Sequence, residues 1–505
     1  MNNKLIWLPE PKLLFNYGQT MEDPRDGLTL FGPLDPGGRY GVRAGVIGTP
    51  KGIERYKRWV ETLNHPLYDK EHGQSRPAFL GFETVFRIPW SPKPAIEVEI
   101  DEADIYRSIH LDDKYLRVYE TVNLYASRII NALHQEDQSV DIWFVIVPDD
   151  VYKYCRPLSS VEANLRIPAA NKMNVSYAKK MVSQPSVFHE WNQQAVPYQY
   201  EVNFHNQLKA RLLEHKALTQ VIRESTIAPF DFLNHRGKPL RGLGDLQASA
   251  AWNLTTSIYY KTAGRPWKIQ GIRDGVCYVG IVYKQTTTDP NSKNACCAAQ
   301  MFLDSGDGVV FKGNVGPWYN PKEGDYHLHY EDAKQLISQA LETYLSKNNN
   351  QPPSELFIHG KTSFNDDEWL GFTDAVDSRT NLVGVRIQDS GGIKLFRRGD
   401  MPVLRGIAYI KSKFDGYLWT RGFIPRLQTY PGMEVPNPLE ITICKGFSDI
   451  RTVFSDILAL TKLNYNACIY GDGVPVTLKF ANAVGEILTA GPVPQMVPLP
   501  FKHYI

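Results

Sequence analysis

No apolar run in this chain approaches the roughly 20 residues that span a bilayer. The opening stretch MNNKLIWLPEPKLL also lacks the apolar centre of a signal peptide. A soluble, cytoplasmic protein is therefore expected. Charge of one sign is equally scarce: 56 Lys and Arg face 54 Asp and Glu, a formal net charge of +2. That excludes a uniformly basic nucleic-acid binder. Any basic surface has to be local, or completed by a second subunit. Cysteine is sparse, with six residues (Cys155, Cys277, Cys296, Cys297, Cys444 and Cys468), no CxxC pair, and an adjacent pair ill-suited to hold one metal. Free buried thiols in a reducing compartment follow. There is no P-loop and no GxGxxG after a strand, which counts against a generic phosphate-binding α/β enzyme. Internal repeats and low-complexity tracts are missing as well. What remains is 505 residues with a hydrophobic share of 43%, enough for full cores, and a length that fits roughly two to four domains.

The apolar patterning predicts an α/β chain. Residues 1–50, rich in Gly and Pro, read as extended segments and turns. ERYKRWVETLNHP and KYLRVYETVNLYASRIINALHQ have helical periodicity, and VDIWFVIVP reads as a strand buried on both faces. Residues 157–198, rich in Ser, Asn, Gln and Pro, read as a surface insertion. Helices are expected over 199–216 and around 245–262. From about 267 a second unit begins. Strands VCYVGIVYK and AAQMFLDS and the hairpin-like SGDGVVF precede helix AKQLISQALETYLSK and strands ELFIHG and NLVGVRIQ. That hairpin-then-helix order suits an RNase H-like fold, although pattern alone does not separate it from other α/β folds.

Four residues carry the chemistry. His205 and Lys209 lie one helical turn apart in FHNQLKARLL, on one side of the helix. Gln220 follows in TQVIRESTI and Lys261 in SIYYKTAGRPW, and the sequence ends at Ile505. An imidazole, two ammonium groups and an amide suit a nucleic-acid 5′-phosphate, because each donates hydrogen bonds to its oxygens. A terminal carboxylate cannot touch an anion directly, but can share a divalent cation with it. Taken singly, each residue has a plain explanation: a solvated helix face, a polar strand entry, a cation in a last helical turn. Tyr152 and Arg156 in VYKYCRP form a rival pair, ranked lower because no Gln follows at a matching distance.

In order and spacing the set resembles the 5′-phosphate pocket of the MID domain of Argonaute proteins. DPRDGLTLFGP resembles the segment that opens their C-terminal lobe, and VDIWFVIVPDD their first MID strand. GVCYVGIVYK and ELFIHGKTSFNDDEW resemble PIWI strands, and LTKLNYNACIYGDGVPVTLKFANAVGEIL resembles the C-terminal PIWI helix pair. Within the family the chain resembles the short prokaryotic Argonautes that partner a TIR-APAZ protein (SPARTA systems). The resemblance implies an N-terminal segment plus Rossmann-like MID domain over 1–266, an RNase H-like PIWI domain over 267–505, and no PAZ domain. It implies that Lys209 and Lys261 pair with phosphate oxygens and that Gln220 donates its amide. His205 stands where many Argonautes have tyrosine; it stacks on the first base or donates to the phosphate. The Ile505 carboxylate holds a Mg²⁺ shared with the guide. The implied partners are a guide RNA, a single-stranded DNA target and the TIR-APAZ subunit. The resemblance further implies a heterodimer with that subunit, which oligomerises on target binding so that the TIR domain hydrolyses NAD⁺, in defence against plasmids or phages.

Family slicers cut with metal-holding carboxylates. The corresponding positions align with Val282, Lys361 and Ile469, so no cleavage by this chain is expected. Asp304, Asp307 and Asp472 read as turn residues, and Asp366, Asp367 and Glu368 as a helix start. Candidate backbone contacts are Lys394, Arg397, Arg398, Lys411, Lys413, Lys462 and Asn464. Two readings compete with this one: the same guide-binding module serving a sirtuin-like or nuclease effector, and an active guide-directed nuclease.

Overall fold

The computed structural model describes residues 4–71, 73–135, 139–271, 273–285, 295–302, 308–316, 319–320, 325–492 and 499–505. The turn carrying Asp304 and Asp307 lies outside them, as do the side chains of Cys296 and Cys297. The longer elements, in chain order, begin with β1 (Leu5–Trp7), β2 (Ala44–Gly48), α1 (Pro50–Leu63), β3 (Ile96–Glu99), α2 (Lys114–Gln135), β4 (Ile142–Val147), α3 (Phe204–Leu212), β5 (Thr219–Arg223) and α4 (Gln247–Thr262). The second half adds β6 (Val276–Gln285), β7 (Ala295–Phe302), β8 (Gly308–Gly316), α5 (Tyr330–Lys347), β9 (Glu355–Gly360), α6 (Asp366–Ala375) and β10 (Asn381–Asp389). Then come β11 (Ile407–Ile410), β12 (Asp415–Leu418), β13 (Leu439–Lys445), α7 (Ile450–Leu460) and α8 (Val476–Leu488).

Two sheets organise these elements. The first is parallel and four-stranded, in the order β3-β2-β4-β5. Its central strands β2 and β4 are buried along their whole length, as apolar runs between two helical layers must be. The second sheet is mixed and nine-stranded, in the order β1-β11-β12-β13-β10-β9-β6-β7-β8. The antiparallel ladder β6-β7-β8 is followed by α5 and then by β9, which runs parallel to both β6 and β10; β10 in turn is antiparallel to β13. This is the hairpin-then-helix order expected from sequence. A single apolar cluster holds Val46 and Phe144 of the first sheet together with Val385 and Phe454 of the second half. The N-terminal segment also crosses any boundary at 266: β1 pairs with β11, and Leu13–Leu14 pairs with Lys268–Ile269.

Capping sets several boundaries that periodicity misplaces. The expected helix over 199–216 shrinks to α3 because the Asn203 side chain accepts from the Asn206 amide and starts the helix there. In the segment read as extended, Asp23 caps and Pro24 opens a helix over Pro24–Phe31. The 157–198 stretch is more than a loop. It carries helices Val175–Ser183 and His189–Ala195, which enclose a small core of Ala178, Met181, Ala195 and Tyr198. Asp366, Asp367 and Glu368 do open a helix, capped by Asn365, where acids favour the positive end of the dipole. Among the described residues no helix is long and apolar enough to cross a membrane.

Candidate nucleic-acid interface

The parallel sheet, α3 and α4 bring the four predicted pocket residues together. Lys209 and Lys261 are 3% and 1% exposed, and their ammonium groups converge on one acceptor, the Thr219 carbonyl, at 3.4 and 3.1 Å. Lys261 also donates to Gln220 Oε1 at 2.7 Å, which leaves the Gln220 amide nitrogen to donate elsewhere. Lys209 donates to the main-chain oxygen of Ile505, 296 residues away. No side-chain carboxylate pairs with either lysine among the described residues.

That arrangement is electrostatically unsatisfied. Two ammonium groups share a buried site with no side-chain carboxylate in reach among the described residues, and desolvation opposes the charged form. Burial pushes Lys209 down to about 7. Lys261 is held well below its usual range by burial and then by Lys209. His205 is exposed at the rim, yet protein crowds it on most sides. That crowding, followed by the charge on Lys209, favours its neutral form, and solvent access tempers the effect. His205 Nδ1 lies 3.1 Å from Asn206 Oδ1. His503 completes the surroundings. Its Nδ1 is buried without a hydrogen-bond partner, and burial, then Lys502 and Lys209, push it down to about 4. A bound phosphate would satisfy this set: it supplies the missing negative charge and accepts from both ammonium groups and the Gln220 amide.

His205 also lines an adjoining cavity of about 430 Å³ between the C-terminal ends of β4 and β5. Ligands of parallel α/β sheets gather at such strand ends. Tyr152 and Arg156, the rival pair, line this second cavity, so the two candidate sets are neighbours. The Tyr152 ring is flanked by the guanidiniums of Arg156 and Arg223, 4.4 and 3.9 Å from its centroid. Arg241, Asn203, Asn206 and Thr226 add to the polar lining. Sequence reading missed Arg223, Arg241 and His503. Only Arg223 left a signal, as a charged residue closing a strand of a parallel sheet.

Of the positions aligned with slicer carboxylates, Val282 lies on β6 and Lys361 directly follows β9, whose last residue Gly360 pairs with Ile281. Ile469 lies in the connection between α7 and α8, where Cys468 bonds Asn253 and Tyr470 bonds Glu22. The element that covers β6 is α8: a Cβ at Gly280 would collide with the Thr477 carbonyl, and Lys284 bonds Glu486 at 3.0 Å. Asp472 is bonded to Lys479 at 2.6 Å and Asn464 at 2.8 Å.

Several predicted backbone contacts are occupied. Lys462 is fully buried and donates to Glu10 at 2.9 Å and to the Glu22 carbonyl at 2.7 Å, which removes it from any nucleic-acid path. Asn464, 5% exposed, is likewise internal. Lys394 donates to the Val435 carbonyl, Arg397 to the Met401 carbonyl, and Lys411 pairs with Asp415. Among the described residues no three His, Cys, Asp or Glu side chains form a metal cluster.

No family model matches this sequence, and no curated protein does. Solved structures do. Clostridium butyricum Argonaute bound to a guide DNA and a 19-mer target DNA superposes with a TM-score of 0.66 at 14% identity, over 99% of this chain and 54% of that one. Aa-Ago with externally bound siRNA gives 0.54 at 15% identity, over 100% and 56%. Aquifex aeolicus Argonaute gives 0.53 at 14%, over 99% and 57%. The chain thus spans little more than half the length of these proteins, and over that span it has the Argonaute fold.

Proposed function

We propose that the chain binds the 5′-phosphorylated end of a guide RNA and uses it to recognise complementary single-stranded DNA, as a short Argonaute with MID and PIWI units over 1–266 and 267–505 and no PAZ domain. The observation that carries this reading is the buried pair Lys209 and Lys261, both within reach of Thr219 O and without a side-chain counter-ion. Lys209, Lys261 and Gln220 hold the phosphate, and His205 stands between it and the Arg-lined cavity. Mg²⁺ fits only in part. The pocket's oxygens at Thr219, Gln220 and Ile505 already accept from the lysines, so phosphate oxygens and waters would supply most of the shell around an ion held at Ile505, as Mg²⁺ accepts. The ion would neutralise charge on the guide.

This chain does no cutting in our reading. Val282 offers no oxygen to the metal that slicing needs, and the Lys361 ammonium opposes it. Its output is a partner: a TIR-APAZ subunit whose NAD⁺ hydrolysis follows guide-directed target pairing and oligomerisation, in defence against plasmids or phages. The test combines the chain, that subunit, a 5′-phosphorylated guide RNA, complementary single-stranded DNA and NAD⁺. NAD⁺ loss is expected only when every component is present. Target cleavage by the chain alone with Mg²⁺ or Mn²⁺ would replace this reading with an active nuclease. NAD⁺ loss indifferent to the guide would sink it.

A further inference from the structure

We infer a second nucleic-acid contact, separate from the 5′-end pocket, at the β1 edge of the nine-stranded sheet. A cavity of about 450 Å³ opens there between the β11–β12 hairpin tip and the loop that leads into α7. Lys4, Lys411, Lys413 and Arg451 line it. Lys411 pairs with Asp415, and Asp449 is engaged in capping α7. Among the described residues no acidic side chain pairs with Lys4, Lys413 or Arg451. Lys4, Lys413 and Arg451, none of them in an ion pair among the described residues, thus outnumber the single lining carboxylate, Asp449, on one concave surface of a chain whose net charge is only +2. The cavity also includes the N-terminal turn of the 11-residue helix α7, whose dipole adds to the positive field.

An aromatic feature accompanies the charge. Phe447 lines the cavity and is 69% exposed, and Phe414, at the hairpin tip beside Lys413, is 45% exposed. Folding gives no reason to leave two phenyl rings in water beside three free cations. Basic side chains interleaved with exposed rings are what single-stranded nucleic acid uses: phosphates take the cations and bases stack on the rings, whatever the sequence. Six strand positions separate β1 from β6 in the sheet order. At about 4.8 Å per strand this edge lies roughly 30 Å from β6, on which α8 packs and brings α3 with it. A strand held here therefore contacts the protein well away from its 5′ end. The inference does not require the lysine pocket to bind phosphate.

The experiment uses the full chain and a single-stranded oligonucleotide whose 5′ end is blocked with a dye, titrated at several salt concentrations. Wild type is compared with the triple variant Lys4→Glu, Lys413→Glu, Arg451→Glu and with Phe447→Ala. Three lost phosphate contacts are expected to flatten the salt dependence by about 2 in log–log slope, at roughly 0.7 per contact. Phe447→Ala is expected to weaken binding about fivefold or more through lost stacking. A 5-iodouridine oligonucleotide is expected to crosslink to the peptide containing Phe447. Unchanged affinity and slope in the triple variant would overturn the inference. Loss in the triple variant with no effect of Phe447→Ala and no crosslink would also overturn it, leaving a simple anion site. The preference for 5′-phosphate over 5′-hydroxyl RNA, measured on the same triple variant, separates failure here from failure of the lysine pocket.

Discussion

Among the described residues the protein buries lysines in two places, and they are wired in opposite ways. Lys462 lies under the N-terminal segment, where Glu10 takes one hydrogen bond from it and two from Arg405, at 2.9 to 3.1 Å. The Tyr470 ring covers its ammonium at 3.9 Å. Charge and counter-charge are both present, and the cluster ties residue 10 to residues 405 and 462. Lys209 and Lys261 are just as buried, but no side-chain carboxylate answers them; their partners are the Thr219 carbonyl, the Gln220 amide and the Ile505 oxygen. A buried cation with its carboxylate is architecture. A pair of them without one is a site that an external anion completes.

That contrast predicts effects of graded size. The largest is on stability. Glu10→Ala leaves Arg405 and Lys462 buried and unpaired, and is expected to destabilise the fold by about 3–5 kcal/mol in denaturant titrations. The same cluster has a pH signature. Burial raises the Glu10 carboxyl, but Arg405 and Lys462 outweigh it, so the folded-state value lies below the ordinary carboxylate range. A depressed folded value means the stabilisation is present above the unfolded carboxylate range and is lost as pH falls through the lowered value. Glu10→Gln is expected to lack that portion of the acid-induced loss. Acid melts of equal steepness in the two proteins would break the comparison from the structural side.

Next in size is a ligand effect on the other cluster. A 5′-phosphorylated RNA at 100 times its Kd is expected to stabilise wild type by about 2.7 kcal/mol in thermal melts, and to give a far smaller shift in Lys209→Met. Smaller still is the effect of the lysines on the empty protein. Lys261→Met removes a buried ammonium that has no side-chain counter-ion, so stability is expected to hold or to rise by about 1 kcal/mol, the reverse of Glu10→Ala. A large destabilisation would mean that Lys261 is architecture too. The smallest effect belongs to Gln220→Ala, whose neutral amide contributes about 0.5–1.5 kcal/mol to phosphate binding, read as a roughly two- to twelvefold rise in Kd.

Sequence made parts of this legible for identifiable reasons. The helix over 114–135 and the strands at 142–147 and 355–360 were visible because apolar spacing alone defines them. Their ends were less visible where a side chain decides them, as Asn203 does for α3 and Asp23 for the helix after it. His205, Lys209, Gln220 and Lys261 were nameable from type, order and spacing. Their burial was not, nor was the absence of a counter-ion, because both depend on residues far away in the chain. Lys462 shows the cost of that blindness. It reads as a surface cation until Glu10, 452 positions earlier, is seen beside it. Arg241 and His503 reach their sites through tertiary packing and left no local pattern.

The most direct test of the lysine pocket is the ratio of Kd values for one RNA carrying a 5′-hydroxyl or a 5′-phosphate, with Mg²⁺ present, in wild type and in Lys209→Met. A charge-assisted phosphate contact of about 1.5–3 kcal/mol predicts a wild-type ratio of roughly 10 to 100 that falls close to 1 in the variant. A wild-type ratio of 1 would contradict the account. The two buried lysines would then be waiting for some ligand other than a guide's 5′ end.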